Sequence, residues 1–173
     1  QDMITKAQSL ISDRENTSFS QGNIYELPLK DNSVDLFISI RTLHHIQHTD
    51  LLFKELHRVL KPGAHFILEI PNKRHILNIM RYVLSPKSDS PFSPKPLKLG
   101  ESFYNFHPST ILSIARQAGF KLIKTKQCNF FRLAILKSLI PTSLLVSIDA
   151  LFSTLPLPLI TPSIFIILKL MSI

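Results

Sequence analysis

Residues 34–71 read VDLFISIRTLHHIQHTDLLFKELHRVLKPGAHFILEIP. Val34 to Ile40 is a largely apolar run of strand length, as expected when helices cover both faces of a parallel sheet. Thr49 or Asp50 supplies a polar cap for a helix, and Leu51, Leu52, Leu56, Val59 and Leu60 recur as its buried stripe. Lys61-Pro62-Gly63 stops that helix, and Phe66 to Ile70 gives a second apolar strand. Strand, loop, helix, turn and strand make one β-α-β unit. Such crossovers are almost always right-handed, and sheets built from them bind ligands at the carboxyl ends of their strands.

Upstream, Met3, Ile4, Ala7, Leu10 and Ile11 repeat at helical spacing, which predicts an amphipathic helix from residue 2 to about residue 13, with Asp2, Lys6 and Asp13 on its polar side. Thr17 to Ser20 is a short strand candidate, followed by Gln21-Gly22-Asn23 and a turn-rich loop through Ser33. Downstream of Pro71, Ile76 to Leu84 has helical character. Ser85 to Gly100 contains four prolines, four serines and three lysines, and with its flanks (71–107) forms a basic excursion over the ligand end of the sheet. Pro108 to Ala118 reads as a helix ended by Gly119, and Phe120 to Lys126 as a strand. Pro162 to Leu170 has the apolar run of a last strand.

Between those last strands, residues 130–160 are apolar runs broken by Lys137, Pro141, Asp149, Pro156 and Pro158. No run reaches the roughly 18–20 residues that span a bilayer. The expected form is a helical insertion, either packed on the sheet edge or capping a pocket. The other reading is peripheral contact with a membrane interface.

The 173 residues, 45% of them apolar, suit one domain with a real core. The single cysteine, Cys128, excludes an internal disulfide framework, reads best as buried filler and favours a cytoplasmic location, membrane-associated if 130–160 meets a bilayer. No metal-binding cluster is visible. Charge is uneven: residues 1–70 carry 7 Lys/Arg against 9 Asp/Glu, whereas residues 71–173 carry 13 against 3. A basic half attracts anionic substrates, nucleic acid or acidic membranes, although no aromatic-interleaved basic motif singles out nucleic acid. The chain begins with Gln1 and shows no basic-then-apolar leader, which suggests a fragment or processed product.

The Asp35-apolar-apolar strand, the Leu43-His44-His45 loop, the helix ending Arg58-Val59-Leu60-Lys61-Pro62-Gly63 and the strand His65 to Ile70 together resemble the second half of a class I S-adenosylmethionine-dependent methyltransferase, in its type 11 branch. The resemblance implies an α/β, Rossmann-like sheet, mostly parallel with an antiparallel last strand and truncated at the N-terminus. Residues 1–173 would be the C-terminal portion of one such domain, without the glycine-rich turn and ribose-binding acid that normally come first. A chain lacking those elements is expected to be inactive alone.

The resemblance also implies a site. Gly22, Asn23 and Ile24 stand where relatives hold the adenine, Asn23 replacing the usual acid, and Ile40, Arg41 and Thr42 stand where the cofactor's methionine end lies. Arg41 facing inward would pair with a carboxylate; facing outward it is a surface cation. His44 and His45 are the candidate proton acceptors, ahead of His48, His57 and His65. Lys73 and Arg74, with Tyr104, Phe106 and His107, are the candidate substrate contacts. The activity implied is methyl transfer to a small-molecule or lipid-like acceptor. The alternatives are a non-catalytic module that docks on a partner through an open sheet edge, and an RNA methyltransferase.

Overall fold

The computed structural model describes residues 2–11, 16–85, 90–99, 103–128, 140–152 and 159–172. The elements run α1 (Asp2–Leu10), β1 (Val34–Ser39), a 3-10 turn (Leu43–His45), α2 (Thr49–Val59), β2 (Leu60–Pro71), α3 (Ile76–Leu84), β3 (Leu97–Leu99), β4 (Phe103–Asn105), α4 (Pro108–Gln117), β5 (Phe120–Cys128), α5 (Thr142–Phe152) and β6 (Ser163–Leu170). Four strands form one sheet in the order β1-β2-β6-β5. β1 and β2 pair in parallel, while β6 runs antiparallel to both β2 and β5. This is the α/β, Rossmann-like sheet expected from the sequence, with the antiparallel last strand inserted between its neighbours.

The β-α-β unit forms as its pattern requires. Leu52, Phe53, Leu56 and Val59 of α2 are buried against Phe66, Leu68 and Ile70 of β2 and Ile166, Leu168 and Leu170 of β6. Phe66 centres an aromatic cluster, with Phe37, Phe53 and Phe120 rings at 5.5, 5.7 and 6.3 Å in edge-to-face geometry. Helix α4 adds Ile111 and Ala115 to the same face.

Several expectations need correction in detail. The residue before α2 is His48, with no side-chain cap; its own N–H donates to the Tyr25 hydroxyl, and Thr49 is already helical and buried. Lys61-Pro62-Gly63 does not precede β2 but bulges within it: β1 passes from Val34 to Leu36 while β2 passes from Leu60 to His65. Gly63 takes the positive φ of 84° that this bulge needs, and Lys61 spans it to Asp35 at 2.8 Å. Thr17 to Ser20 is not a strand, since no neighbouring strand pairs with it among the described residues. The proline-rich excursion holds a small hairpin, β3 pairing with β4. Of the 130–160 insertion, one helix, α5, is described; 129–139 and 153–158 lie outside the described residues, as do 86–89 and 100–102 of the excursion.

The loop before β1 is tied down by two side chains of α2. Glu55 accepts from Leu27 N–H at 2.7 Å and from the Arg58 guanidinium, which also reaches Asp31 and the Leu27 and Leu29 carbonyls. The Arg58 hydrogen bond holds the Glu55 carboxyl below its ordinary range, against the opposing effect of burial.

Candidate active site

Three elements meet at the carboxyl ends of β1 and β2. A cavity of about 290 Å³ there is lined by Arg41, His44, Glu69, Pro71, Phe103 and Ser163. Larger cavities of about 500 and 640 Å³ lie along α2, around His57 with Gly119 and around Arg58 with Tyr25. The former sits at the opposite end of the strands, where β5 begins and β6 ends. The latter also gathers a histidine, His57, a buried carboxylate, Glu55, and the Arg58 guanidinium, but Glu55 and Arg58 are ion-paired with each other there, beside the loop that precedes β1. Convergent titratable groups at the carboxyl ends of the strands, more than volume, mark the smaller one as the candidate site.

Each lining residue has a structural reason to be there. The chain leaves β1 through Arg41, which adopts φ 56°, a left-handed conformation that costs energy for a residue bearing a Cβ. That bend turns Leu43 into the core and sets His44 above the cavity. Glu69 projects from β2 on the sheet face opposite to Phe66, Leu68 and Ile70, and it is buried. The β3-β4 hairpin closes the top: the Phe103 ring lies 4.6 Å from His44 and 6.3 Å from His45. Burial, then the adjoining His45 and Arg41, push the His44 imidazole below its ordinary value, while Glu69 pulls the other way. At pH 7 His44 is therefore neutral and able to accept a proton.

The expected site residues divide into groups. Arg41 and His44 are brought together at the cavity. His45 is exposed, its ring 4.1 Å from that of His44. Ile40 and Thr42 flank Arg41, with the Thr42 hydroxyl donating to the Ile40 carbonyl at 3.1 Å. Gly22, Asn23 and Ile24 form a separate turn, in which Asn23 Oδ1 accepts from Tyr25 N–H at 3.0 Å and Ile24 packs on the core. Lys73 is fully buried, and its Nζ donates to the carbonyls of Ser93 (3.0 Å) and Lys95 (2.8 Å), so its ammonium clamps the proline-rich excursion. Arg74 is exposed, with its guanidinium 6.0 Å from the Phe92 ring centre. Tyr104 stacks on buried Phe106 at 6.2 Å. His107 caps α4, its Nδ1 accepting from Ser109 N–H at 3.3 Å, and burial together with Arg74 and Lys73 lowers its imidazole pKa.

Glu69, Phe103 and Ser163 line the cavity without having been singled out in the sequence. Glu69 had a usable signal: it is the lone carboxylate in the otherwise apolar FILEIP run, at a position the period of two directs away from the core.

Residues 1–68 match the methyltransferase domain family. The chain is also 36% identical over 73 residues to the probable S-adenosylmethionine-dependent methyltransferase of Mycolicibacterium smegmatis, covering 42% of this chain and 25% of that one. Against norajmaline N-methyltransferase of Rauvolfia serpentina, identity is 35% over 97 residues, covering 55% of this chain and 30% of that one. The matches thus span less than a third of these relatives' own lengths. An S-adenosylmethionine-dependent methyltransferase structure from Mesorhizobium loti superposes with a TM-score of 0.64 at 17% identity, covering 98% of this chain and 76% of that one. Its methyltransferase fold therefore extends well beyond the residues that match in sequence.

Proposed function

We propose that the full-length protein transfers a methyl group from S-adenosylmethionine to a small-molecule or lipid-like acceptor, with the cavity between Arg41, His44 and Glu69 as the reacting end of the site. The observation that carries this reading is the convergence of a neutral imidazole, a buried carboxylate and a guanidinium at the carboxyl ends of β1 and β2, the ligand end of such sheets.

The residues present fit the reacting end of the cofactor and its acceptor. A cavity of about 290 Å³ suits one end of a ligand rather than a whole nucleoside. Arg41 offers a fork for a carboxylate, and Asn23 and Ile40 are the residues that would hold the remainder. When bound, the cofactor supplies a methyl group already activated on a sulfonium, so the protein's work is alignment and removal of the acceptor's proton. His44 takes that proton. Glu69, on the same cavity, stabilises the imidazolium formed, and Phe103 keeps water from the face it covers.

The test is transfer of labelled methyl from S-adenosylmethionine by the full-length protein into fractionated cell extract. Label in the small-molecule or lipid fraction, cut about 100-fold by His44→Ala, is expected. Label in RNA would transfer support to the nucleic-acid reading, and absence of any label or cofactor binding would support a non-catalytic docking module.

A further inference from the structure

Ile76, Leu77, Met80, Val83 and Leu84 of α3 stand at offsets of zero, one, four, seven and eight, which places them on one face of the helix. In a soluble core that face would turn inward. Here all five are between 38% and 81% exposed, and no residue of α3 is buried. The inward side carries Asn78, whose Nδ2 donates to the Asn72 and Lys73 carbonyls at 3.4 and 3.3 Å. The apolar ridge continues past the helix. Ile76 N–H donates to the Leu159 carbonyl at 2.7 Å, and Leu159 and Ile160 are themselves exposed.

Charge identifies the occupant. Arg74 precedes the ridge, Arg81 rises from α3 beside it, and Lys95 lies on the loop clamped by Lys73; all three are exposed. From Pro71 to Ala118 the chain holds seven Lys/Arg and two Asp/Glu. From Ser138 to Leu168 it holds a single charged residue, Asp149, and within that stretch α5 exposes Leu144, Val146 and Leu151. An apolar face rimmed by cations, beside a nearly uncharged stretch, complements an anionic bilayer, whose acyl region takes the ridge and whose headgroups take the rim. Among the described residues no helix is long and apolar enough to cross a membrane, which leaves lying on it.

We propose that α3 and the adjoining Leu159–Ile160 turn dock the protein on an anionic lipid surface, with α3 in the interface. Pro71, which lines the candidate active site, is five residues from Ile76, so docking brings the cavity to the headgroup layer. On the methyl-transfer reading, on which this clause rests, the acceptor is an amphiphile taken from the bilayer.

Sedimentation of the full-length protein with vesicles of phosphatidylcholine, with and without phosphatidylglycerol, tests this. Binding to the anionic vesicles about tenfold or more above the neutral ones is expected. Met80→Asp with Val83→Asp should lower it by about tenfold or more with the circular dichroism spectrum retained, since both residues are exposed. Arg74→Gln with Arg81→Gln should remove the anionic preference. No sedimentation with either vesicle, binding indifferent to the Asp pair, or a dimer that the Asp pair dissolves would each overturn the proposal. The readout needs no methyl transfer, so its failure is distinct from failure of that reading.

Discussion

His44 and Arg41 carry opposite kinds of information about the site. His44 sits in a local environment that lowers its pKa, so the folded state favours the neutral ring. Protons then bind the unfolded chain more readily than the folded one, and the contribution of His44 to stability is present above the ordinary histidine pKa near 6.5 and is lost as pH falls through and below it. The acid limb of turnover is accordingly expected below pH 6.5. Because the Glu69 charge raises the His44 pKa, Glu69→Gln should move that limb to still lower pH while reducing maximal turnover; a limb unmoved in a pH–rate profile would separate Glu69 from His44. Arg41 holds a left-handed backbone where glycine would be unstrained. Arg41→Gly should therefore raise stability by up to about 1 kcal/mol, seen in urea denaturation, yet weaken cofactor binding, seen by calorimetry. At this scale the pair Arg41 and His44 was legible because both follow a strand on the ligand side. Lys73 was legible as a cation there, but its burial was not, since the Ser93 and Lys95 carbonyls that enclose it come from 20 and 22 residues away.

Among the elements, the β-α-β unit was readable because its signals are local and agree: apolar strand, amphipathic helix, Gly turn and apolar strand. What pattern could not place was pairing. Thr17 to Ser20 has strand-like residues but no partner strand among the described residues, whereas β3 and β4 have only three residues each and form because they find one another across the excursion. The bulge at Lys61 to Ala64 was likewise hidden, because a helix stop and a strand bulge both ask for Gly. The core of this unit makes a firm prediction. Phe53 is fully buried and touches the Phe66 and Phe120 rings at 5.7 Å each, so Phe53→Ala should cost about 3–5 kcal/mol in urea denaturation. Substituting exposed Leu51 on the same helix should cost much less.

For the molecule as a whole, the two edges of the sheet are unlike. β5 carries Lys121, Lys124 and Lys126 and a register shift between Leu122 and Lys124, devices that discourage edge pairing. β1 has no strand on its outer side among the described residues and leaves Leu36 and Ile38 about half exposed. Residues 1–173 by themselves should therefore associate with rising concentration, and Ile38→Lys should reduce this in sedimentation velocity; a monomer at all concentrations would show the β1 edge to be harmless. The overall architecture was legible from sequence, including the antiparallel last strand. The outward ridge of α3 was not, because helical periodicity reports that an apolar face exists and not which way it points.

The most direct measurement is titration of the full-length protein with S-adenosylhomocysteine in a calorimeter, beside Ile40→Asp, which sets a like charge against the ligand's carboxylate at the bend after β1. Binding in the micromolar range that Ile40→Asp abolishes is the predicted result. Absence of binding to the unaltered protein, or binding that Ile40→Asp leaves intact, would contradict a cofactor site at the carboxyl ends of β1 and β2.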